Sequence, residues 1–118
     1  MIMVVDDDDA VCEGLKVVLE MDDYDVVTNH DAAEAVQAVQ AQPPGLMIID
    51  FNMPGMSGGQ ATELIRSIPS GVPIIGISAE SHRESEMLDA GASIFLAKPL
   101  DIAKLTDTIS QLLNPITP

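Results

Sequence analysis

Four short apolar runs in this 118-residue chain each end on a polar residue, and that repetition restricts its fold more than any other feature. Met3-Val4-Val5 runs into Asp6-Asp7-Asp8-Asp9, and Leu46-Met47-Ile48-Ile49 ends on Asp50. Ile74-Ile75-Gly76-Ile77 ends on Ser78, and Ser93-Ile94-Phe95-Leu96-Ala97 ends on Lys98-Pro99. Runs of this length, rich in β-branched side chains, read as strands buried on both faces. Packing alone gives no reason for each to finish on a polar group. The segment Phe51-Asn52-Met53-Pro54-Gly55 that follows Asp50 is loop chemistry, which puts Asp50 at the rim of a sheet and open to a ligand.

Between the runs lie stretches with helical spacing. After a first strand over about residues 2–6, Asp8 or Asp9 can cap a helix whose apolar face is Val11, Leu15, Val18 and Leu19. Asp22-Asp23 ends it, because Asp tolerates the left-handed backbone that such endings use. Residues 24–28 read as a second strand. Asn29-His30-Asp31 introduces a helix with the stripe Ala32, Ala35, Val36 and Val39, stopped by Gln42-Pro43-Pro44-Gly45. The third strand ends at Asp50, and a helix over about 59–68 is stopped by Pro69-Ser70-Gly71. A strand over 72–77, a helix over about 82–90 ending at Gly91, a strand over 93–97 and a helix from Asp101 to about Leu113 complete the series. The tail, residues 114–118, continues neither helix nor strand and reads as an end or the start of a linker. Five strands alternating with five helices predict one α/β domain over residues 1–118. Its parallel sheet is covered on both faces and joined by right-handed crossovers. Ligands of such sheets bind beyond the carboxyl ends of the strands, where Asp6, Asp7, Asp50, Ser78 and Lys98 all fall.

Composition excludes several classes. Nineteen acids against five Lys and Arg give a formal charge of −14, which repels nucleic-acid phosphates and anionic membranes. No apolar run approaches the ~20 residues of a membrane span, and Met1-Ile2-Met3-Val4-Val5 lacks the basic start of a signal peptide. A single cysteine, Cys12, allows no internal disulfide and fits a reducing cytoplasm. No His or basic residue is placed to activate it, so it reads as a packing residue.

Carboxylates gathered on one rim repel one another by about 3 kcal/mol per pair at ~5 Å and an effective dielectric near 20. A cation or a retained proton relieves that repulsion. Hard oxygen ligands with no His or Cys among them suit Mg²⁺ and argue against zinc. Capping and solvation account for Asp8 and Asp9 but not for Asp6 and Asp7 at the strand end. Lys98 supplies a cation and Ser78 a hydroxyl to the same rim. Mg²⁺, a lysine and a hydroxyl are what the oxygens of a transferring phosphoryl group need around them. A carboxylate can be the nucleophile, and Asp50, between the acid pair and the Ser78/Lys98 pair, is the candidate for an aspartyl phosphate.

Over essentially its whole length the chain resembles the receiver domains of two-component response regulators. The resemblance rests on Val4-Val5-Asp6-Asp7, on Ile49-Asp50 with Met53-Pro54-Gly55-Met56-Ser57-Gly58, on Ile77-Ser78-Ala79 and on Lys98-Pro99. It implies a flavodoxin-like doubly wound (βα)5 fold with strand order 2-1-3-4-5. It further implies that Asp50 takes a phosphoryl group from the phosphohistidine of a histidine kinase or phosphotransfer protein. Asp7, Asp50 and the Asn52 main-chain carbonyl would hold Mg²⁺ directly and Asp6 largely through water, while Ser78 and Lys98 hold phosphoryl oxygens. Ser78 and Phe95 match the switch positions, and Asn52 and Glu80 match positions that tune water access to the phosphate. Such a domain signals to a downstream protein or an attached output domain, and it is not a turnover enzyme. Asp23, Cys12 and Gly14 depart from commoner family residues. The last helix lacks the arginine pattern of receivers that dimerise, so a monomer is expected.

Three other readings compete. A haloacid-dehalogenase-like phosphatase also forms an aspartyl phosphate, but it needs a second Asp two residues after the nucleophile, where this chain has Asn52. A flavodoxin-type flavin carrier needs a hydroxyl-rich first loop, where this chain has four aspartates, and aromatic residues beyond Tyr24, Phe51 and Phe95. A receiver-like module that is never phosphorylated has no use for the complete acceptor set.

Overall fold

The strand runs pair side by side as one five-stranded sheet. In the computed structural model, which describes residues 1–69 and 71–114, β1 (Ile2–Val5), β2 (Val26–Asn29), β3 (Leu46–Asp50), β4 (Ile74–Ser78) and β5 (Ile94–Ala97) alternate with five helices. These are α1 (Asp9–Met21), α2 (Ala32–Ala41), α3 (Gly58–Arg66), α4 (Glu84–Ala90) and α5 (Ile102–Leu113). All pairings are parallel and the strand order is β2-β1-β3-β4-β5, the flavodoxin-like order expected.

Alternation along each strand divides the core in two. Ile2, Val4, Leu46, Ile48, Ile75, Ile77 and Leu96 pack with Cys12, Leu15 and Leu19 of α1 and with Leu105 and Ile109 of α5. Met3, Val5, Met47, Ile49, Ile74 and Phe95 pack instead with Ala35 and Val39 of α2, Ala61 and Ile65 of α3 and Met87 of α4. Successive side chains of a strand point to opposite faces, so an apolar run without alternation fills both layers. Gly76 has no side chain on the α4 face, and Met87 occupies the space that a Cβ there would need.

Side-chain caps fix where four of the five helices begin, α4 being the exception. Asp8, Asp31 and Asp101 accept from the backbone N–H groups of Ala10, Glu34 and Lys104, and Ser57 forms a reciprocal capping box with Gln60. Asp23, past the end of α1, takes the left-handed φ of 65° that its short polar side chain tolerates. Arg66 in the last turn of α3 donates from Nε to the Gly91 carbonyl at 2.7 Å and from Nη1 to the Val72 carbonyl at 2.6 Å. It thereby ties α3 to the segments that precede β4 and β5.

Several boundaries differ from expectation for local reasons. β2 starts at Val26 and not at residue 24, because the Tyr24 N–H donates to Leu19 O at 3.2 Å and closes α1. β4 starts at Ile74 because Pro73 lacks an N–H, and it includes Ser78. α3 runs from Gly58 to Arg66, one residue earlier than expected at its start, while Ser67 and Ile68 close in tighter turns. The region expected as a helix over 82–90 opens with a 3₁₀ turn, Ser81–Arg83, before α4. Asn114 caps α5; Ser70 of the stop after α3 and residues 115–118 of the expected tail lie outside the described residues.

Candidate functional site

The C-terminal ends of β1, β3, β4 and β5 bring Asp6, Asp7, Asp50, Ser78 and Lys98 to one rim. Parallel register does this: Val5 lies beside Ile49, Asp50 beside Ile77 and Ser78 beside Ala97, so four strands finish level. Asp6, Asp7 and Asp50 each offer a carboxylate oxygen, and the three oxygens lie within 4.8 Å of one another. Asp6 and Asp50 are 1% and 4% exposed, whereas Asp7 faces solvent. Such an all-oxygen set, partly buried and partly open, fits a hard divalent cation that keeps some of its waters.

The buried carboxylates have protein partners. Asp6 accepts from the Asp8 N–H at 3.0 Å through Oδ1 and from Lys98 Nζ at 2.9 Å through Oδ2. Lys98 Nζ also lies 3.2 Å from Asp50 Oδ1. Burial and then the charge of Asp6 push the Asp50 carboxyl up to about 6, against the opposing pull of Lys98. Burial would lower the Lys98 ammonium, but its hydrogen bond to Asp6 and the charges of Asp50 and Asp6 hold it above its ordinary range. The site is therefore rich in negative charge and only partly compensated.

Ser78, fully buried, accepts at Oγ from the Glu80 N–H at 2.9 Å and from Asn52 Nδ2 at 3.0 Å. Asn52 follows Asp50 by two residues in the β3–α3 loop. Gly58 is needed at the head of α3, because its N–H donates to Phe51 O at 2.9 Å and a Cβ there would collide with the Asp50 carbonyl. That close approach seats the helix against the end of β3.

Two contacts had no signal in the sequence. Arg83 stacks its guanidinium 4.9 Å from the centre of the Phe51 ring and donates to Glu86 at 2.7 Å, linking the β4–α4 connection to the residue after Asp50. Residues 51 and 83 carry no mutual spacing pattern that would reveal this. The Cys12 thiol donates to the Asp6 carbonyl at 3.3 Å, and burial followed by the charge of Asp6 raises it to about 11. It is a buried packing group, as expected. Phe95 is 9% exposed and already sits in the core layer beneath α3 and α4.

The family described as response regulator receiver domain matches residues 2–110. The transcriptional regulatory protein PrrA of Mycobacterium tuberculosis is 32% identical over 115 residues, covering 96% of this chain and 49% of PrrA. The response regulator MprA of Mycobacterium avium is 33% identical over 119 residues, covering 99% of this chain and 52% of MprA. The chain thus spans about half the length of these relatives. The crystal structure of the response regulator protein TrrA from Thermotoga maritima, in complex with Mg²⁺-BeF, superposes with a TM-score of 0.89 at 30% identity, covering 95% of this chain and 97% of that one. These similar proteins are response regulators and not haloacid-dehalogenase phosphatases. With strand order, acid cluster and family match in agreement, the chain belongs to the response regulator receiver domain family.

Proposed function

We propose that Asp50 accepts a phosphoryl group from the phosphohistidine of a histidine kinase or a histidine phosphotransfer protein. The observation that carries this is the convergence of Asp6, Asp7, Ser78 and Lys98 around one carboxylate, itself at a strand end. An Asp50 oxygen attacks phosphorus; the P–O bond forms as the P–N bond breaks, and the electron pair stays on the imidazole nitrogen. Asp50 must be ionised to attack, and a carboxyl raised to about 6 is mostly ionised at pH 7. Mg²⁺ bound at the acid cluster would neutralise charge on the phosphoryl oxygens. Asp7, Asp50 and the Asn52 main-chain carbonyl would hold it, with Asp6 acting mainly through water and through Lys98. Lys98 and Ser78 would bind the remaining oxygens; that TrrA, 30% identical to this chain, was crystallised in complex with Mg²⁺-BeF supports a metal at this cluster. Release is attack by water at phosphorus with Asp50 as leaving group, which resets the domain; it acts as a switch and not as a turnover enzyme.

Residues 1–118 act as one receiver domain, a monomer in the cytoplasm, and pass the signal to an effector protein or an attached output domain. Among the described residues no helix is long and apolar enough to cross a membrane, and the net charge of −14 disfavours direct contact of this chain with nucleic acid. An open apolar groove of about 330 Å³ between α1 and the start of α5, lined by Val11, Gly14, Leu15, Pro99 and Ile102, borders Lys98. Redirection of Ser78 toward the phosphoryl group reshapes the surface of α4, β5 and α5. Because Phe95 is already buried, its part is a repacking within the core.

Incubation with Mg²⁺ and acetyl phosphate should add one base-labile phosphate, and Asp50→Asn should abolish it while leaving the fold intact. Labelling of Asp50→Asn at the wild-type rate would overturn the assignment.

A further inference from the structure

Resting on that reading of Asp50, we propose that Asn52 is a positioning residue, a latch that holds the Ser78 hydroxyl in its resting orientation and sets how readily it turns toward an oxyanion on Asp50. A serine hydroxyl has two acceptor sites and one donor. Both acceptor sites of Ser78 are filled, by Asn52 Nδ2 at 3.0 Å and by the Glu80 N–H at 2.9 Å. Among the described residues its O–H has no acceptor, although Ser78 is fully buried. The O–H is therefore the group of Ser78 left to donate to an acceptor at the rim, once the oxygen that carries it is released to move there.

The two bonds that hold it are not equivalent. The Glu80 N–H lies two residues along the same segment, a local main-chain contact that ties Ser78 to its own loop. Asn52 stands 26 residues away in sequence, in the loop that carries the acceptor, and its side chain is the contact that pins β4's last residue to that loop. Turning Ser78 toward a group on Asp50 therefore means giving up the Asn52 bond. Asn52 is itself exposed, so the bond is a neutral one at the water boundary, strong enough to bias the hydroxyl and weak enough to yield.

Beryllofluoride tests this, because it provides the acceptor atoms of a phosphoryl group and does not hydrolyse, so effects on dephosphorylation stay out of the readout. Asn52→Ala removes the amide and keeps the main-chain carbonyl assigned to the metal. At saturating Mg²⁺, Asn52→Ala should bind beryllofluoride about three- to tenfold more tightly than wild type, the equivalent of one net hydrogen bond. In the resting protein, the amide resonances of Ser78 and Glu80 should move toward their beryllofluoride-bound positions. In a Ser78→Ala background the substitution should change affinity less than about twofold, since its effect acts through the hydroxyl. Equal or weaker binding by Asn52→Ala, or the same gain in the Ser78→Ala background, would overturn the latch while the acceptor assignment stood. Failure of the wild type itself to bind beryllofluoride would overturn both.

Discussion

The Lys98 ammonium lies between two buried carboxylates, 2.9 Å from Asp6 Oδ2 and 3.2 Å from Asp50 Oδ1. One cation thus serves two acids, and neither acid has another cationic side chain within salt-bridge distance among the described residues. Breaking a buried pair from one side leaves an uncompensated charge, which costs more than the pair itself was worth. Lys98→Met keeps the aliphatic stem and removes the charge. Without metal at pH 7 it should destabilise the fold by about 2–4 kcal/mol in urea titrations. The loss should shrink when Mg²⁺ is added. A loss under about 1 kcal/mol would show that Asp6 and Asp50 are solvated well enough to need no partner.

The pH dependence of the metal-free protein has a definite sign. Burial and the charge of Asp6 raise Asp50 from 3.8 to about 6, so the folded state binds its proton more tightly than the unfolded state does. The resulting stabilisation is fully present below about pH 4 and is lost as pH rises through about 6, amounting to at most about 3 kcal/mol. Asp50→Asn removes the titration. Its melting temperature should exceed that of the wild type at pH 7.5 in chelator, and the gap should narrow steadily towards pH 4.5. A gap independent of pH would contradict the raised value.

Magnesium should reverse that penalty. A cation that binds only the folded chain stabilises it by about 2.7 kcal/mol at a hundred times its dissociation constant. The wild-type melting temperature should therefore rise with Mg²⁺ well beyond the rise in NaCl of matched ionic strength. Asp7, the exposed member of the cluster, has no side-chain partner among the described residues, so Asp7→Ala tests ligation with little structural disturbance. It should remove most of the Mg²⁺-specific rise. Equal responses in mutant and wild type would discount Asp7 as a ligand.

Two glycines should respond in opposite ways to alanine. A Cβ on Gly14 meets nothing within 4 Å, and the residue lies inside α1, so Gly14→Ala should stabilise by about 0.5–1 kcal/mol. A Cβ on Gly58 meets the main chain at Asp50 and Phe51, which cannot swing aside. Gly58→Ala should cost at least about 2 kcal/mol, and it should slow phosphorylation because α3 has to move away from the end of β3. Calorimetry of the two variants beside wild type checks both signs.

Much of this molecule is written in local pattern. The continuous apolar runs at residues 3–5, 46–49 and 74–77 have to be strands covered on both faces, since neither face of Met47-Ile48-Ile49 tolerates water. Helical stripes, the caps Asp8, Asp31 and Asp101 and the left-handed Asp23 are equally local, because each depends on residues within a turn of itself. The polar residue closing each run placed Asp6, Asp50, Ser78 and Lys98 at one edge as soon as the sheet was known to be parallel. At Tyr24, Pro73 and Ser67 a hydrogen bond or a missing N–H sets the element boundary one or two residues from where the pattern alone puts it. Tertiary structure alone decided the long-range pairings: Lys98 between Asp6 and Asp50, Asn52 on Ser78 and Arg83 on Phe51 at the rim, and Met87 in the space left by Gly76 in the core. The physical reason is separation. These partners lie 11 to 92 residues apart and meet only through strand order and register, so no periodicity in the chain records which side chain faces which.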